Sequence, residues 1–266
     1  MSRLTPTRRD VLRLFTGGLL GTLALNTGVV PWATRMASAF GDDDRIRLAL
    51  LQHTAAAWHP HPHALTSLLG EVSITTSIDA APKEETVSLE RGDLTPFPLI
   101  FVCGNQAFAP WSDSARQRMR RYIHAGGMLV FDSADPAADG GFRQSVTREL
   151  QEILPDKKLA QTSQSHVLYK SFYLCRGDEG RSPVKSHTDS IIDEGRIQAL
   201  YIYNDLLGAY EQRANTNPWG GAQRDRRRDF AYRFGVNLVM YALALDYKED
   251  QVHVPFILRR RRWTVP

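Results

Sequence analysis

Two apolar runs, residues 98–103 (Pro-Leu-Ile-Phe-Val-Cys) and 127–131 (Gly-Met-Leu-Val-Phe), bracket a single amphipathic segment. This spacing restricts the fold more than any other feature of the chain. Each run has the length and composition of a buried strand. Between them, Ser112 or Asp113 can cap a helix whose apolar positions Ala115, Met119, Tyr122 and Ile123 fall on one face, and Gly126 stops it. A strand–helix–strand order of this length predicts a parallel pair joined by a right-handed crossover.

The same alternation extends outward. Residues 45–51 read as another strand, and Pro62 suits the first position of a helix through Ala64, Leu65, Leu68 and Leu69. Residues 78–97 read as a connector with room for one short strand. Residues 142–154 form a helical pattern stopped by Pro155, and 156–190 is polar and irregular. Residues 190–193 and 196–203 flank Glu194-Gly195, a tight-turn dipeptide that predicts a hairpin. A final helix is expected from near Arg224 to about Tyr247, with Asn237 the only strongly polar residue between Phe234 and Leu245. The fold class expected is three-layer α/β with a mainly parallel, flavodoxin-like sheet.

The first 39 residues have a different character. Arg8-Arg9 lie in Thr-Arg-Arg-Asp-Val-Leu-Arg, which is similar to the twin-arginine export motif; seventeen uncharged residues follow, and Ala37-Ser38-Ala39 offers a small-residue cleavage site. The expected organisation is a signal peptide over 1–39, one α/β domain over 40–250 and a basic tail over 251–266. Export would place the mature chain in the periplasm or another extracytoplasmic space; an uncleaved signal tethering it to the membrane is the alternative. Five basic residues and one acidic residue fall in 1–39, which leaves 28 of each beyond it. That balance excludes a general nucleic-acid footprint. Arg259–Arg262 and Trp263 form a tail with too little anchorage for firm membrane contact. Cys103 and Cys175 are expected as free thiols, Cys103 within a strand.

Several segments, taken in order, resemble the domain-of-unknown-function family 4159 of uncharacterised bacterial proteins. They are Trp58-x-Pro60-x-Pro62, Phe97-Pro98-Leu99, the run from Tyr122 to Asp132, the run from His166 to Tyr173, Tyr203-Asn-Asp-Leu206, and the helix containing Gly235 to Tyr241. The resemblance covers roughly 45–245. It implies a domain similar to the class I glutamine amidotransferases. It also implies envelope biology, with MoxR-type ATPases and von Willebrand factor A-domain proteins as partners. The Arg8-Arg9 motif makes the twin-arginine translocase a partner during export, and no cofactor is expected.

In an amidotransferase-like fold the nucleophile position, after a strand, falls here on Asp132-Ser133, where no cysteine stands. Ser133 could serve as a nucleophile with His166 as its base, or the segment could be a plain Asx/Ser turn. Cys103-Gly104-Asn105-Gln106 lies one strand too early for the nucleophile, which leaves Cys103 to the core and Asn105 to a loop or pocket. His59, His61 and His63 alternate with prolines and, with His53, could supply imidazole ligands, although the resemblance places them at variable positions. Asp132 and Asp205 each follow an apolar strand, so with Tyr203, Asn204 and His166 they could share a crevice. The leading expectation is a non-catalytic binding or assembly module; the alternative is a hydrolase using Ser133, His166 and the Asp132/Asp205 crevice.

Overall fold

The computed structural model describes residues 45–55, 58–211 and 226–243. The signal-peptide reading, with Arg8, Arg9 and Ala39, falls outside these residues, as do Leu245 and the basic tail.

A seven-stranded sheet forms the centre. Its strands are β1 (Leu48–Gln52), β2 (Glu85–Ser88), β3 (Leu99–Gly104), β4 (Met128–Ser133), β5 (Ala160–Gln161), β6 (Asp189–Asp193) and β7 (Arg196–Ile202), in the order β2-β1-β3-β4-β7-β6-β5. β2, β1, β3, β4 and β7 run parallel; β6 pairs antiparallel with β7, and β5 antiparallel with β6. The sequence-derived strand–helix–strand unit is therefore present as a parallel pair, with Leu99 opposite Met128 and Gly104 opposite Ser133.

Helices cover both faces. On one side lie α1 (Ala64–Thr75), α4 (Leu206–Tyr210) and α5 (residues 226–243), packed with Leu50, Phe101, Val130 and Leu200. On the other lie α2 (Asp113–His124) and α3 (Gly141–Ile153), packed with Ile100, Val102, Phe131 and Tyr201. Strand alternation produces this division, because successive side chains point to opposite faces. The apolar face read for α2 is the buried one, and Ser112 is its N-cap, accepting the Ala115 N–H.

Two local expectations are corrected and a third is extended. The first helix begins at Ala64 rather than Pro62, because His63 takes a left-handed conformation (φ 75°) and acts as its N-cap. The irregular stretch 156–190 contains the edge strand β5 and a 3-10 turn at Val167–Lys170. The β6–β7 hairpin forms as read, with Glu194 and Gly195 both at positive φ (48° and 80°), which a two-residue turn of this hand requires. Yet β7 is not confined to that hairpin: its other edge pairs parallel with β4, Leu129 opposite Ala199.

On α5, Phe234, Leu238 and Tyr241 are buried as one stripe, and Asn237 between them is fully buried too. Its amide is not stranded. Oδ1 accepts the N–H groups of Phe172 and Tyr173, while Nδ2 donates to the Tyr173 carbonyl. This buried polar residue of the helix thus fastens a loop to the core.

Candidate functional site at the carboxyl rim

Because β1, β3, β4 and β7 run the same way, the residues at their carboxyl ends gather along one rim. His53 follows β1, Asn105 follows β3, Asp132 and Ser133 end β4, and Tyr203, Asn204 and Asp205 follow β7. Asp132 and Asp205 do share a rim, on the face occupied by α1 and α4.

Their carboxylates are committed to the backbone. Asp132 accepts the N–H groups of Leu206 and Leu207, one on each oxygen at 2.8 Å. Asp205 stands at φ 55° as the N-cap of α4 and accepts the Gly208 N–H. It also receives His61 Nε2 at 2.8 Å and the Arg181 guanidinium. Burial, then the neighbouring Asp205 charge, pushes the Asp132 carboxyl up to about 7, against the opposing pull of its two N–H donors. This knot closes the first turn of α4 and ties two loops to the rim.

Asn204 completes the fastening. Its Oδ1 accepts from the backbone of Val184 and Lys185, and its Nδ2 donates to the carbonyls of Asp178 and Lys185 and to the Asp178 carboxylate. Gly180 lies so close to the Asn204 carbonyl that a Cβ there would fall 1.9 Å from its oxygen, so only glycine fits. Asp178 is buried, its Oδ1 has no hydrogen-bond partner, and burial raises its carboxyl from 3.8 to about 7. The folded chain therefore holds a proton that the unfolded chain has released, and the stability this confers is lost as pH rises from about 4 through 7. We expect Asp178→Asn, which imitates the protonated acid, to flatten that decline by on the order of 2–4 kcal/mol. Urea unfolding at several pH values measures it; an unchanged slope would refute the assignment.

The opposite face of the rim carries Ser133, which is 1% exposed, its Oγ accepting the Asp135 N–H in a turn. Tyr203 donates to Asp189, as does Arg143, whose guanidinium stacks 4.5 Å over the Tyr201 ring. Tyr201 Oη approaches Ser133 without closing a hydrogen bond of normal geometry. Asn105 is exposed, whereas Cys103 is core, its thiol pushed well up by burial and by the Asp132 and Asp205 charges. Cys103 and Cys175 are both free. His53 accepts the Ala55 N–H on Nδ1, which leaves Nε2 to donate to the Cys103 carbonyl, and burial lowers its pKa.

Two sequence-derived groupings are not assembled. His166 packs against Tyr241, whose hydroxyl accepts the N–H of Ile197 at the start of β7. Ser133 ends β4, so the proposed nucleophile and base sit at opposite ends of the sheet, about 20 Å apart at strand rise. His166 is likewise absent from the Asp132/Asp205 crevice. The alternating histidines diverge: His59 meets Glu84, His61 meets Asp205, and His63 caps α1. Among the described residues no three His, Cys, Asp or Glu side chains converge to hold a metal. The partners that sequence reasoning missed, Arg181, Asp178 and Arg143, carry no motif; only their place on this rim distinguishes them.

No curated protein matches the chain. The family model described as Domain of unknown function (DUF4159) matches residues 47–243, which takes in every described strand and helix. The chain belongs to that family.

Proposed function

We propose that this chain is an exported bacterial envelope protein whose amidotransferase-like α/β domain binds or assembles and does not catalyse. One observation carries the reading: the rim carboxylates Asp132 and Asp205 are spent on backbone N–H groups, His61 and Arg181, where an enzyme would keep them for substrate. Ser133, at the position that an amidotransferase-like fold gives its nucleophile, is buried in a turn, and its candidate base His166 lies at the other end of the sheet. Fluorophosphonate treatment of the folded protein should leave Ser133 unlabelled. Labelling that disappears in Ser133→Ala would establish the hydrolase instead.

Export rests on Arg8 and Arg9 before the uncharged run. Changing both to Lys should hold the unprocessed chain in the cytoplasm, read by fractionation and N-terminal sequencing. Continued appearance of a chain beginning at Phe40 outside the cytoplasm would refute the twin-arginine route. An exported chain that keeps its first 39 residues would indicate a membrane-tethered form. The partners that family resemblance supplies are MoxR-type ATPases and von Willebrand factor A-domain proteins. Stable co-purification from co-expressing cells, dependent on the folded domain, tests that association.

A further inference from the structure

Leu174 is 88% exposed, Phe172 45% and Phe230 36%. Single exposed apolar residues are ordinary, but these three belong to one surface. The Phe172 and Tyr173 rings meet edge to face, 4.8 Å between centroids. The Arg233 guanidinium lies 5.7 Å from the Tyr173 ring and 5.5 Å from that of Phe230, which joins the loop 171–175 to α5.

The loop is held in this pose. The buried amide of Asn237 accepts the N–H groups of Phe172 and Tyr173 and donates to the Tyr173 carbonyl, while the Cys175 N–H closes back on the Tyr169 carbonyl at 2.8 Å. With its backbone fixed to the core, the loop keeps Phe172 and Leu174 outward, although each side chain would gain by leaving water.

The surroundings are cationic. Residues 170–179 and 226–233 hold six basic and three acidic residues, against an even balance over the chain beyond residue 39. Lys170 and Arg176 flank the loop and are exposed, as is Arg226, one helical turn before Phe230. Of the acids, Asp178 is buried, Glu179 is half-buried, and Asp229 pairs with Arg233 at 2.9 Å. Arg227 shares a recess with Glu179, and Arg228 is spent on the Ala209 and Glu211 carbonyls. The α1 acid Glu71 acts on Tyr232, which stacks on Tyr210 rather than on this loop. The exposed surplus is therefore positive.

Apolar tips set among lysine and arginine match a lipid surface, whose acyl boundary takes the rings and whose anionic headgroups take the cations. Among the described residues no helix is long and apolar enough to cross a membrane, so such contact is peripheral. We propose that Phe172, Leu174 and Phe230, with Lys170, Arg176 and Arg226 around them, dock the folded domain on an anionic lipid surface. The proposal is independent of the carboxyl-rim reading and of the route of export.

Co-sedimentation of the full chain with vesicles of phosphatidylcholine alone, or mixed equally with phosphatidylglycerol, tests it. The mixed vesicles should bind about tenfold or more tightly. The double variant Phe172→Ser, Leu174→Ser should lower that affinity about tenfold or more, with circular dichroism unchanged because both side chains are exposed. Lys170→Gln with Arg176→Gln should weaken binding to mixed vesicles about tenfold, spare binding to the neutral ones, and serve if the first pair does not fold. In Leu174→Trp, lipids brominated along the acyl chain should quench fluorescence beyond the wild-type level, which reads contact at the loop itself. Vesicle binding that both double variants leave intact would assign lipid contact to another part of the chain and overturn the proposal. So would the absence of added quenching, or self-association without lipid that the Phe172/Leu174 variant abolishes, which would make a second copy the occupant.

Discussion

Asp205→Ala should destabilise the domain by about 3–5 kcal/mol, the cost of removing one partner from a buried ion pair. The side chain is 1% exposed and has three kinds of partner at once: the His61 imidazole, the Arg181 guanidinium and the Gly208 N–H. Alanine leaves all three facing a low-dielectric space from which water is excluded, and α4 loses its cap. Asp205→Asn keeps an oxygen for Gly208 or His61 but turns an amide toward Arg181, so a smaller loss of about 1–3 kcal/mol is expected. Chemical denaturation near pH 7 reads both. A loss below about 1 kcal/mol for the alanine variant would mean that the knot is ornamental and that the carboxylate is free for other work.

Leu238→Ala is the second large effect, expected at about 2–5 kcal/mol. Leu238 is fully buried on α5 between Phe234 and Tyr241, against the core that holds α1 and one face of the sheet. Truncation removes buried methyl groups and leaves a cavity that surrounding aromatic rings fill poorly. An exposed α5 position such as Phe230, at 36%, is the internal comparison. If Leu238→Ala costs under about 0.5 kcal/mol, the level of an ordinary surface change, this helix is not packed as described.

The parallel core could be read from the chain because residues 98–103 and 127–131 are short, continuous and apolar, and one helix-length segment separates them. The hairpin at Glu194-Gly195 was equally readable from its turn dipeptide. What the pattern could not say was which neighbour β7 takes on its second edge. A hairpin taken alone would leave the direction of β7 in the sheet undetermined, and only its pairing with β4 brings Asp205 to the rim of Asp132. His166 illustrates the opposite failure. It lies in a polar stretch without periodicity, so nothing in residues 156–188 announces that the chain carries it to the amino end of the sheet. The same silence hides Asp178 and Arg181, whose roles depend on loop geometry and on Asn204. Asn204 itself was found through its place after an apolar strand, but its work is to hold a loop.

The central position of β7 also bears on how the domain is made. β4 meets β7 across about seventy residues of intervening chain, with Leu129 set opposite Ala199. Pairings so distant in sequence require a large loop to close before any contact rewards it, which slows folding. During synthesis, β1, β3 and β4 emerge first, and until residue 202 is available β4 has an apolar strand edge with no neighbour. Such an edge is a template for pairing with other chains. A chain truncated ahead of β7 should therefore be recovered as aggregate, and nascent chains of that length should be the ones that chaperones retain.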